Sequence, residues 1–226
     1  DFERAKTIAV GEFAAYANWL KAEKLPHADE SFAVGKEAYE QMLQAELVDL
    51  SAAEVLALGM RELKAEQQRF AQAAAIIDAK STPHDVYKTI QREHPAAAEL
   101  IPEARKHLEV LRQRLIDRRI VTVPSEVRAQ VAETLPPFRA MSFASMDTPG
   151  PFETKATAAY YYITPVEPTW PPEQAEEWLT AFNNYTTDVV SIHEAYPGHY
   201  LQFLALNASS ASTVAKMFTS YAFVEG

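Results

Sequence analysis

Proline divides this chain. Of its 14 prolines, only Pro26, Pro83, Pro95 and Pro102 fall before Ile120. Inside a helix a proline lacks the backbone donor and collides with the preceding turn, at a cost of about 3 kcal/mol or more. Long helices are therefore expected over residues 1–120. Beyond Ile120 the crowding of prolines leaves room only for strands and short helices. We read 1–120 as a helical scaffold, and 121–226 as strands followed by short helices that carry the chemistry.

The scaffold shows helix grammar throughout. Phe2, Ala5, Ala9, Phe13, Tyr16 and Leu20 fall near one face of a helix over 1–24, closed by Leu25-Pro26-His27. A second helical stretch is expected over 31–47. Ser51-Ala52-Ala53-Glu54 is a capping box before an apolar-periodic run to about Ala79. Thr82-Pro83 sets a cap and a first-turn proline for the next helix. Pro95 ends it, and Pro102 opens another to about Arg119. His27, His84, His94 and His107 have no metal-ligand spacing around them and read as structural or surface residues.

After Ile120, Val127, Ala129 and Val131 alternate with Arg128 and Gln130, which predicts a strand near 127–134. Ser125 also suits the cap of a short helix there. Ala158 to Thr164, with three consecutive tyrosines, is the strongest strand signal in the chain. Pro172 opens a helix to Phe182, and another follows Asn183-Asn184. The fold class is therefore mainly α, with a small antiparallel sheet ahead of the last helices.

Those helices carry Ser191-Ile192-His193-Glu194-Ala195-Tyr196-Pro197-Gly198-His199-Tyr200. Metalloprotease zinc helices place two histidines at i and i+4, on one face. Here the second histidine is at i+6, roughly 240° around an unbroken helix, so the two rings would point apart. Pro197 and Gly198 supply the break. One helix should end near Tyr196 and a second begin at Pro197, with the imidazoles converging across the kink. Glu194 stands beside the first histidine, and a glutamate buried in an apolar helix is costly because it must be paired or protonated. Two ordinary histidines flanking a helix-breaking Pro-Gly are the bland alternative.

Composition excludes several classes. Asp plus Glu outnumber Lys plus Arg by 31 to 21, for a net charge of −10, which argues against a nucleic-acid partner. There is no cysteine, hence no disulfide framework, thiolate metal site or cysteine nucleophile. No G-x-S-x-G elbow or phosphate-cradling glycine loop is present in a chain with 6 glycines. No stretch approaches the ~18 apolar residues of a membrane span. The compartment is left open, cytoplasmic or exported.

His193-Glu194-Ala195-Tyr196-Pro197-Gly198-His199-Tyr200-Leu201-Gln202 resembles the H-E-x-x-P-G-H-x-x-Q signature of a bacterial family, domain-of-unknown-function family 885. That family in turn resembles the gluzincin zinc peptidases. Their third ligand is a glutamate on a downstream helix. Phe223-Val224-Glu225-Gly226 matches the start of the family's E-G-W-A-x-Y-x-E stretch, which makes Glu225 the implied third ligand. The chain reads as a fragment, with the rest of its own protein expected beyond Gly226.

The resemblance implies a His193, His199, Glu225 zinc set and Glu194 as general base. Zinc with three protein ligands keeps a fourth position open to water. Gln202, one turn past His199, is placed to brace that ring. A strand before the metal helix would add an extended peptide along its edge, with Tyr160 and Tyr162 lining substrate pockets, or packing a core instead. The expected function is zinc-dependent hydrolysis of a peptide or related amide bond. With Glu225 one residue from the chain end, zinc is expected to be held weakly. A hydrolase acting on other substrates, and a helical binding module with a vestigial metal motif, are the alternatives.

Overall fold

The helix signals of the first half set where its helices begin. In the computed structural model, which describes residues 1–155, 157–219 and 221–225, the capping box of Ser51 and Glu54 is formed in both directions. It starts α3 (Ala52–Ile77), after α1 (Phe2–Trp19) and α2 (Lys36–Ala45). The helix expected over 31–47 begins only at Lys36, because Gly35 before it takes φ 83°, a left-handed conformation outside the helical region. A π-helical turn, Leu20–Lys24, and a 3-10 turn, Leu25–His27, close the first helical stretch.

Two compact units divide at Leu56 and Ala57, a boundary inside α3. In the first, α1 buries none of its residues, so the stripe of Phe2, Phe13 and Tyr16 is solvent-exposed.

The second unit holds the core. Thr82 caps α4 (Pro83–Ile90) by accepting from the Asp85 amide. Then comes α5 (Leu100–Asp117), which turns Leu100, Ala104, Leu108 and Leu115 inward at helical spacing. It packs against the strand β1 (Gln130–Glu133) and the helix α7 (Asn184–Glu194). Arg112 lies on the same inward stripe, 3% exposed, and donates to the carbonyl of Ser125 and to Glu126.

The sheet has three strands, in the order β1, β3 (Tyr160–Ile163), β2 (Ala144–Asp147). The expected antiparallel sheet is in fact mixed. β1 runs parallel to β3, and β2 runs antiparallel to it. A parallel pair needs a long crossover, and the chain between β1 and β3 supplies one with β2 inside it. The strand expected over 127–134 is confined to Gln130–Glu133. Ala144-Ser145-Met146-Asp147 gave no warning of a strand, lacking any β-branched or aromatic residue.

β3 is the central strand. Tyr161 and Ile163 are fully buried, while Tyr160 and Tyr162 stack on the opposite face at 5.5 Å between ring centroids. The remaining helices are α6 (Pro172–Ala181), α8 (His199–Ala208), α9 (Thr213–Met217) and α10 (Tyr221–Val224). Among the described residues no helix is long and apolar enough to cross a membrane.

Candidate metal centre

Asn183 opens α7 by accepting from the amides of Tyr185 and Thr186. Two side-chain contacts then fix the helix over the core. His107 on α5 meets Asp188 at 2.6 Å, and the buried hydroxyls of Tyr161 and Ser191 are 3.2 Å apart. The apolar flank of α7 is less buried than its sequence suggests, since Val189 is 65% and Ile192 41% exposed. The residues α7 does bury are Thr187 and Ser191.

The break is wider than one residue. α7 ends at Glu194 and α8 begins at His199. Over the gap the ladder rewinds: Tyr196 N–H donates to the Ser191 carbonyl, and Gly198 N–H donates to that of Ile192 at 2.9 Å. Bonds reaching back five and six residues fold the chain tightly over the end of α7. Gly198 passes so close that a Cβ there would stand 1.7 Å from the carbonyl oxygen of His193. Glycine is required by that approach, at an ordinary negative φ of −70°.

The rewound chain brings both imidazoles to one side, with ring centroids 4.6 Å apart and planes at 78°. Glu225 follows α10 and sits between them. Its Oε2 is 3.4 Å from His193 Nε2 and its Oε1 is 3.5 Å from His199 Nε2. The three potential ligand atoms lie within 4.8 Å of one another. Two ligands each about 2.1 Å from a tetrahedral zinc stand about 3.4 Å apart, so the spacing suits the metal as well as the donor types do.

Glu194 is half-buried beside this set. Burial pushes its carboxyl above the usual carboxylate range, and Glu225 adds to that, while His199, His193 and a hydrogen bond from the Met146 amide oppose it. Met146 belongs to β2, so the strand that the sequence concealed holds the carboxylate next to the first histidine.

Two expectations about neighbouring residues change. Gln202 donates to the carbonyl of Phe223 at 3.0 Å rather than to the His199 ring. It ties α8 to the short helix that delivers Glu225. Tyr160 and Tyr162 lie on a strand with both edges paired, so a peptide cannot add there. The sheet's outer edges belong to β1 and β2, and the edge of β2 is the one beside Glu194. Gly226, the last residue of the motif match, lies outside the described residues.

A second feature escaped the sequence reading. Tyr196, inside the break, is 1% exposed, and among the described residues its hydroxyl has no hydrogen-bond partner; nor does Nε of Arg112. In the sequence, the i+4 relation of Arg112 to Leu108 is the signal that places it on the buried face of α5.

Fold and site together describe a helical protein with a two-histidine, one-glutamate cluster at a helix break. The chain belongs to a family that it matches over residues 1–226, described as bacterial protein of unknown function (DUF885). A solved structure from Shewanella oneidensis, described as a candidate lipoprotein of unknown function, is similar to it at a TM-score of 0.72 and 25% sequence identity. The match covers 98% of this chain and 40% of that one, so this chain spans less than half the length of that protein. Among curated proteins none matches.

Proposed function

We propose that this chain carries the metal site of a zinc-dependent hydrolase that cleaves peptide or related amide bonds, with residues 121–226 as its catalytic part. The observation carrying the proposal is the placement of Glu225 between the two imidazoles, 3.4 and 3.5 Å from their Nε2 atoms. The likeness of the H-E-x-x-P-G-H motif to the gluzincin zinc peptidases supports it. So does Glu194, which a purely structural metal would not need.

His193, His199 and Glu225 would hold the ion. Zinc in such a site acts as a Lewis acid and makes water nucleophilic near neutral pH. Glu194 takes the proton of the attacking water and hands it to the leaving amine. Its partial burial suits the base role, because a carboxylate whose proton affinity is pushed upward takes the proton of water more readily. An extended substrate lies along the free edge of β2, where main-chain groups meet main-chain groups. The likeness to a candidate lipoprotein supports an exported, lipid-attached location for the whole protein.

The test separates base from ligand. Glu194→Gln keeps the shape and the contact with Met146 but accepts no proton. It should retain zinc and lose about 10²–10⁴-fold in turnover of a mixed peptide library. His193→Ala should lose zinc and turnover together. Full turnover by Glu194→Gln would remove the residue from the mechanism, and with it the main reason for reading this chain as an enzyme.

A further inference from the structure

The pairing of β2 determines which of its groups face outward. Phe143 accepts from the Thr164 amide, so Phe143, Ser145 and Asp147 bond toward β3 and Ala144, Met146 and Thr148 turn away from it. The amide of Met146 is taken by Glu194, and the carbonyl of Ala144 by the Ser142 hydroxyl. The carbonyl of Met146 and the amide of Thr148 remain outward, with no partner among the described residues. A peptide laid on this edge therefore pairs immediately beside the carboxylate of Glu194.

The edge leads into a cavity. Thr148, Gly150, Val127, Tyr200, Phe203 and Leu204 are among the residues lining a space of about 250 Å³. Thr148 is two residues past Met146, about 7 Å along the strand. Phe203 is four residues past His199, one turn along the same face of α8, at roughly 6 Å between Cβ atoms. The cavity is thus lined from the chain that continues β2 and from α8, the two elements that flank the metal set. Its walls are largely apolar, and the carboxylate of Glu153 at its edge is turned to the amides of Thr154 and Lys155. An apolar cavity of about 150 Å³ is enough for benzene.

We propose that this cavity is the specificity pocket of the site, receiving a leucine- or phenylalanine-sized side chain from a peptide paired to the free edge of β2. The proposal deepens the hydrolase reading and rests on it for the direction in which the peptide lies. It selects peptides with a large apolar residue next to, or one removed from, the bond cleaved. Small or acidic residues at that position leave the pocket unfilled or bury an unpaired charge.

The experiment has a binding arm that does not depend on turnover. Metal-free protein is titrated with acetyl-leucinamide, acetyl-phenylalaninamide and acetyl-alaninamide, following the methyl resonances of Val127 and Leu204. Each methylene removed from water adds roughly fourfold in affinity, so the leucine and phenylalanine amides should bind roughly tenfold or more tightly than the alanine amide. Gly150→Val narrows the space; a Cβ at Gly150 meets nothing within 4 Å, so the fold accepts it. The variant should erase the preference and keep zinc stoichiometry, with Gly150→Ala intermediate.

Equal affinity for the three amides, or an unchanged preference in Gly150→Val, overturns the pocket. In zinc-loaded protein, peptides varied at one position should follow the same order in kcat/KM. Turnover without that order also overturns the pocket. No turnover of any peptide, with the amide preference intact, overturns the hydrolase reading alone and supports the pocket as an apolar binding site.

Discussion

The two helices that meet at the break contribute to one centre in opposite ways. α8 is anchored: it buries Tyr200 and Leu201 next to His199, whose side chain is only 13% exposed. α7 buries polar residues, turns Val189 and Ile192 outward, and leaves the side chain of His193 51% exposed. One imidazole is thus set by core packing, and the other by the rewound turn of chain that Gly198 permits. The lesson is that a side-chain cluster can be rigid on one side and open to solvent on the other without any long loop. Rigidity comes from apolar burial at α8, and access comes from its absence at α7.

Substituting each histidine is the strongest way to probe that asymmetry. Both His193→Ala and His199→Ala should weaken zinc binding about a hundredfold or more, since each leaves only two of the three protein ligands that such a zinc takes. They should differ in the metal-free protein. His199→Ala leaves a gap against packed neighbours and should lower the denaturation midpoint, whereas His193→Ala should leave it nearly unchanged. Equal effects on metal-free stability would show that the two helices are not built differently.

Gly198→Ala attacks the turn itself. The added carbon would stand 1.7 Å from the His193 carbonyl oxygen, so the break must open. Strain of about 1–3 kcal/mol is expected, along with weaker zinc binding, because His193 moves with its carbonyl. Urea denaturation and zinc titration of this variant check both parts. Unchanged affinity would mean that the turn does not position the ligand.

Tyr196 offers the smallest effect and a sharp pH signature. Burial pushes its hydroxyl up to about 12, and Tyr200 adds to this while Arg112 and Arg128 oppose it. Unfolded tyrosine titrates near about 10. The folded state therefore holds this proton more tightly; that advantage is complete below about pH 10 and is lost as pH rises toward 12. Tyr196→Phe should be near neutral in stability at pH 7, because the hydroxyl it removes has no partner among the described residues. Its stability should also fall less steeply between pH 10 and 12, by up to about 1.4 kcal/mol per pH unit. A large loss at pH 7 would reveal a partner for that hydroxyl.

Local signals in the sequence were strong wherever a side chain reports on its own backbone. The capping box of Ser51, the cap at Thr82 and the proline-glycine break between the histidines could be read directly, since each acts within a few residues. The site was partly legible for the same reason: His193, Glu194 and His199 lie together in the chain, and their i+6 spacing demanded a kink. Glu225 could be found only through a motif resemblance, because no periodicity links it to residues more than twenty positions earlier. The role of β2 was hidden, as Ala144 to Asp147 are poor strand formers held by pairing with β3. With β2 missing, neither the free edge nor the Met146 contact to Glu194 could be foreseen. Tyr160 and Tyr162 were misplaced on an edge because strand order depends on the whole sheet.

The central claim is that His193, His199 and Glu225 bind one zinc ion, and anomalous diffraction at the zinc edge from crystals grown with zinc tests it most directly. The account predicts a single strong peak about 2.0–2.2 Å from both Nε2 atoms and a Glu225 oxygen, with Glu194 outside bonding range. A peak elsewhere, or an ion bound by Glu194 in place of Glu225, would contradict it.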